Sequence, residues 1–177
     1  NSGVSNLFDA NFFVLTTARN VYKCLDNDNN TASTVEPTGT STTVLSTADG
    51  YKWKYMYTLS ASQQANFLST DFMAVETNST VSSAAVDGAI DVVKIKTAGS
   101  GGTNGTHTGI AIRGDGSNGQ VSVTVAGGVV TAVTVTNAGT GYTFGTISNA
   151  QIVAAGATSL TGAESVSYTH LTLPTNR

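Results

Sequence analysis

Asp26-x-Asp28-x-Asn30 places oxygen-bearing side chains at alternate positions, as at the start of a calcium loop whose single backbone turn points its ligands inward. The pattern then breaks. Thr31 stands where such a loop needs glycine, Glu36 falls one position early, and Pro37 takes the place of the bidentate glutamate. Residues 26–30 are therefore expected to form a turn in which Asp and Asn side chains bond their own backbone. Asp115-Gly116-Ser117-Asn118-Gly119 offers one carboxylate, too weak a ligand set to hold an ion against water. Arg113-Gly114-Asp115 spells an integrin-recognition tripeptide, for which a strand running into a turn is the plainer account. The run from Gly99 to Gly105 has no Lys-Ser/Thr to reach a phosphate and no helix pattern after it, so it is not a nucleotide loop. Cys24 sits in an apolar strand without a recognisable base, and His107 lies in a Gly/Thr-rich loop. No carboxylate pair and no Ser/His/Asp set stands out. The expectation is a protein that is not an enzyme, with no catalytic residue, metal or cofactor.

Tyr51, Trp53, Tyr55 and Tyr57 alternate with Lys52, Lys54, Met56 and Thr58. Period two puts all four aromatics on one face of a strand. Such a row can stack sugars or bases, but the lysines project from the opposite face. In a chain with few large residues this aromatic ladder is expected to be core or subunit interface.

The elements that must position these residues are legible in composition. The chain has 177 residues, 8 Lys+Arg against 11 Asp+Glu, a net charge of -3 and a pI near 5.1, which disfavours a phosphate-tracking surface and so a nucleic-acid partner. It carries 19 Gly and 29 Thr, the composition of a turn-rich, mostly β protein. One Cys excludes an internal disulfide, and no apolar run approaches the ~18 residues of a helical membrane span.

Three glycines precede residue 87 and sixteen fall between Gly88 and Gly162, which divides the chain. Residues 1–76 are expected to form a β-sandwich-like domain with one short helix, opened by a Ser60/Gln63 capping box and carrying Ala61, Ala65, Leu68 and Phe72 at helical spacing. Residues 77–87 read as a polar linker. Residues 88–165 read as a small Gly-rich antiparallel β domain with a twofold internal repeat. An offset of 40 residues places Ile90, Val93 and Ile95 on Val130, Val133 and Val135, Gly99 on Gly139, and Ile112 on Ile152. Because 90 is even while 93 and 95 are odd, these residues cannot all share a flat face, so each copy requires either a bulge or burial of both faces near the strand start. Gly127-Gly128 between alternating runs signals a hairpin. The chain opens as if inside a longer one, and residues 166–177 resemble translated sequencing adapter, an artefactual tail expected to pair little.

Val21-Tyr22-Lys23-Cys24-Leu25-Asp26, then Val35-Glu36-Pro37, then Asp49-Gly50-Tyr51-Lys52-Trp53-Lys54-Tyr55-Met56-Tyr57 resemble, in order, signature blocks of a known family. That family is the baseplate wedge subunit, gene product eight, of T-even-like contractile-tailed bacteriophages, and the likeness covers about residues 7–77. The resemblance implies a structural role: a mostly β, homodimeric virion protein that binds other baseplate wedge proteins in the tail baseplate, is assembled in the bacterial host cytoplasm, and has no enzyme activity or cofactor. The eleven residues from Thr38 to Ala48 make a longer connection than the family pattern has, and the Gly-rich repeat has no counterpart in it. The alternative reading is a glycan-binding tail-fibre or surface adhesin module.

Overall fold

The computed structural model describes residues 12–169, with side chains as far as Ser165, and the chain divides into two compact units, Asn1–Ala85 and Val86–Arg177. The chain is mostly β, as expected, with antiparallel sheets in both units.

Unit 1 holds β1 (Phe13–Leu15), β2 (Asn20–Asp26), β3 (Leu45–Ser46) and β4 (Lys52–Thr58), in the sheet order β1-β2-β4-β3. The alternation in β4 buries Trp53 and Tyr55, and Tyr51 just before it, while Lys52 and Lys54 stay half-exposed. The expectation of one face for all four aromatics is corrected at Tyr57: the pairing with β2 skips Met56, so Tyr57 opposite Val21 leaves the face that Tyr55 shares with Tyr22, and Met56 and Tyr57 are both buried. β2 aligns with it so that Cys24 faces Trp53 and Tyr22 faces Tyr55. The sandwich expectation is corrected here: among the described residues unit 1 has one sheet. Irregular chain takes the place of a second layer, held by hydrogen bonds from the aromatic side chains rather than by a strand ladder.

The capping box forms as expected at α1 (Ala61–Phe67), with Gln63 N–H donating to Ser60 Oγ and Ser60 N–H to Gln63 Oε1. The apolar stripe does not. Leu68 turns extended and ends the helix after seven residues, so Phe72 lies beyond it at 75% exposure and no residue of α1 is buried. Within residues 77–87, read as a polar linker, residues 79–84 form a second helix, α2 (Ser79–Ala84), and the division between the units falls after Ala85. The Asn78 side chain accepts a hydrogen bond from Val81 N–H, and Val81 is buried.

Unit 2 has β5 (Ile90–Ser100), β6 (Gly105–Ala111), β7 (Arg113–Gly114), β8 (Gln120–Ala126), β9 (Val129–Asn137), β10 (Gly145–Ser148), α3 (Asn149–Ala154) and β11 (Thr161–Thr169). Its sheets run β5-β11-β10-β7 and β6-β8-β9. One core joins them, including Ile90, Val121, Val123, Ile147, Ile152 and Tyr142.

Of the two arrangements that parity allows, a bulge is present in both copies. Along β5 the pairing with β11 skips Asp91, and along β9 the pairing with β8 skips Thr131, 40 residues on. Ile90, Val93 and Ile95 thereby reach one face, as do Val130, Val133 and Val135, and all six lie in or against the core. The register does not extend to Ile112 and Ile152: the first precedes β7, whereas the second is inside α3. The pairings instead equate Ile110, opposite Val121, with Ile147, opposite Ser165.

The expectation that the adapter-like segment pairs little is corrected for its first four residues. Residues 166–169 complete β11, pairing through their backbone with β5 on one side and, at Val166 and Ser167, with β10 on the other. Residues 170–177 lie outside the described residues.

Candidate functional site

The three sequence blocks that carry the resemblance meet in one place. β2 supplies the first and β4 the third, and the second, Val35-Glu36-Pro37, lies in the 31–44 segment, which has no helix or strand. Fourteen residues without secondary structure are unusual in a compact unit, and such loops most often carry function.

Hydrogen bonds hold this loop at several points. The Asp49 carboxylate accepts from Ser33 Oγ at 2.9 Å, Thr34 N–H at 2.8 Å, Val35 N–H at 3.0 Å and Thr47 Oγ1. Glu36 accepts from Thr17 N–H and Oγ1, and Pro37 is buried. These donors, the Thr47 hydroxyl first, hold the Asp49 carboxyl well below the usual carboxylate range. Asp49 can approach because Gly50 follows at φ +85°, where an added Cβ would fall 2.7 Å from Asp28 Cγ.

The aromatic ladder lies beneath. Tyr51 and Trp53 stack with ring centroids 5.2 Å apart, Phe12 meets Trp53 edge-on, and Tyr22 meets Tyr55 edge-on at 5.8 Å. The polar ends of the side chains reach out to fix neighbouring chain. Tyr51 Oη donates to Thr31 O and Tyr22 Oη to Gly39 O, each at 2.6 Å, Tyr57 Oη donates to Ala74 O, and Trp53 Nε1 donates to Thr47 Oγ1. Burial raises the phenol pKa values of Tyr22, Tyr51 and Tyr57, so these hydroxyls stay protonated donors. Trp53 is 1% exposed, which leaves no ring face of it for a sugar or base.

What the loop presents outward is Thr, Ser, Ala, Gly and Val35, and its one charge, Glu36, accepts hydrogen bonds from Thr17. The arrangement gives a surface fixed by hydrogen bonds at several points, with Glu36 as its one charge.

The remaining candidates settle into structural work. Asp26 accepts from Asp28 N–H, and Asp28, Asn29 and Asn30 all have left-handed φ values of 45°, 57° and 69°. Among the described residues no three His, Cys, Asp or Glu side chains group as metal ligands. Arg113-Gly114 forms β7, and the Asp115 carboxylate accepts from Thr143 N–H, Thr143 Oγ1 and Phe144 N–H. These bonds, Thr143 Oγ1 first, lower its pKa to about 2. His107 Nε2 lies 3.0 Å from Thr103 O, and Cys24 is buried. The two carboxylate clamps escaped the sequence reading, although both fall in Asp-Gly pairs, a turn signal.

In comparison with known proteins, the chain matches no family model, no curated protein and no solved structure.

Proposed function

We propose that the protein is a structural subunit of a contractile phage tail baseplate wedge, acting through protein–protein contacts of unit 1 with other wedge proteins. The observation that carries this reading is the convergence of the three family-like blocks: Asp49 of the third holds Val35 of the second, and Trp53 of the third pairs with Cys24 of the first. Residues separated by long stretches of chain thus combine to set the path of one loop, which accounts for their occurrence together. Homodimer formation, location in the virion and the absence of enzyme activity belong to the same proposal. The glycan-binding alternative needs open aromatic faces, and burial of Tyr51, Trp53, Tyr55 and Tyr57 counts against it.

Co-sedimentation with purified wedge proteins, beside a glycan array, tests the reading. The proposal expects association with wedge proteins that is lost when residues 38–44 are replaced by a short Gly-Ser connector, with Trp53 emission unchanged. Glycan binding without wedge association would overturn it.

A further inference from the structure

The first strand of each repeat in unit 2 does not join its own repeat's sheet. β5 pairs with β11 of the second repeat, and β9 pairs with β8 of the first. The two seats correspond residue for residue. Beyond the bulges at Asp91 and Thr131, a second irregularity skips Lys96 in β5 and Thr136 in β9, again 40 residues apart. The acceptor strands correspond at an offset of 44: Val121 to Val123 face Val135 to Val133 as Ser165 to Ser167 face Ile95 to Val93.

The close approaches repeat as well. A Cβ on Gly99 would lie 2.6 Å from Thr161 O and 2.9 Å from Ala163 N, and one on Gly139 would lie 2.5 Å from Ser117 O and 2.7 Å from Gly119 N. Thr161 and Ala163 follow Ser117 and Gly119 by the same 44 positions. Gly102 N–H donates to Gly128 O as Tyr142 N–H donates to Gly88 O. One exchange of bulk is reciprocal. Tyr142 fills the space over Gly116, whose added Cβ would fall 2.4 Å from the Tyr142 Cγ. At the equivalent place Gly102 stands in for the tyrosine and Leu160 for Gly116, with an added Gly102 Cβ 2.9 Å from Leu160 Cδ1. Each space is filled, from opposite connecting segments.

We propose that unit 2 is two copies of one three-strand unit that have exchanged first strands, and that the seat β9 fills on β8 accepts the first strand of a second copy of this chain when the chain cannot close on itself. Within one chain the exchange is closed by the two-residue turn Gly127-Gly128, both glycines at positive φ, with Ala126 paired to Val129 across it. Without the turn β9 cannot fold back onto β8, and the matching seat is then on another molecule.

The test is the full chain lacking Gly127 and Gly128, measured by light scattering and far-UV circular dichroism. The expected result is a discrete dimer of twice the mass with β content retained. A folded monomer at all concentrations overturns the proposal. If the shortened chain does not stay in solution, the pair Gly116→Leu and Tyr142→Gly decides. Each substitution alone should lower the melting temperature, by clash or by void, and the double variant should melt above both single variants. A double variant that melts at or below either single one overturns the equivalence of the two seats and the proposal with it.

Discussion

Replacing Trp53 by Ala should remove the largest fully buried side chain of unit 1. Three contributions are lost together: burial of an indole that is 1% exposed, the Tyr51 stack with the Phe12 edge contact, and the Nε1–H bond to Thr47. Truncations of this kind in a core cost about 3–5 kcal/mol, against a total domain stability of about 5–15 kcal/mol. For a unit of this size each kcal/mol moves the melting temperature by about 4–8 °C, so the transition of unit 1 should fall by more than about 12 °C. Differential scanning calorimetry is the assay, because the variant loses the chain's single tryptophan and with it the fluorescence signal. Trp53→Phe should fall by less, since a ring still stacks on Tyr51 and only the donor and part of the volume go. A melting temperature within about 3 °C of the native value for Trp53→Ala would refute the placement of Trp53 as the centre of the unit 1 core.

Acid should loosen both carboxylate clamps. Their folded pKa values are depressed, so their contribution is present above the ordinary carboxylate value of 3.8 and is lost as pH falls through the folded values, about 2 for Asp115. Unit 2 should therefore lose melting temperature between about pH 4 and pH 2, and Asp115→Asn should flatten that slope; an unchanged slope would remove Asp115 from the account. Gly139→Ala, which combines φ +63° with a Cβ 2.5 Å from Ser117 O, should destabilise unit 2 by more than about 1 kcal/mol in denaturant titration. Gly162→Ala, with open space around its Cβ, isolates the cost of positive φ alone. Millimolar calcium added to metal-free protein should leave the melting temperature unmoved, and a rise of several degrees would restore Asp26, Asp28 and Asn30 as ligands.

Strand β4, the α1 capping box and the paired bulges of unit 2 were legible in the sequence because each rests on local spacing: period two, Ser60 with Gln63, and a break of parity repeated 40 residues on. Helix α2 was hidden because Ser79, Thr80, Ser82 and Ser83 are poor helix formers, and the helix depends on the Asn78 cap and burial of Val81. α3 was hidden for the opposite reason, since Ile152 fits an offset that suggested a strand. The clamps of Asp49 on residues 33–35 and of Asp115 on residues 143–144 are long-range, and side-chain bonds across 14 to 29 positions leave no periodic mark. The pairing of residues 166–169 was likewise invisible, because a segment's likeness to adapter sequence says nothing of the strand edges it can fill.

Hydrogen–deuterium exchange of the chain, alone and with purified wedge proteins, tests the central claim most directly. Residues 51–57 should already be protected in the free chain, and wedge proteins should add protection at residues 31–44. Rapid exchange at residues 51–57 in the free chain, or wedge proteins that leave residues 31–44 unaltered, would contradict the account of a buried aromatic ladder holding a protein-contact loop.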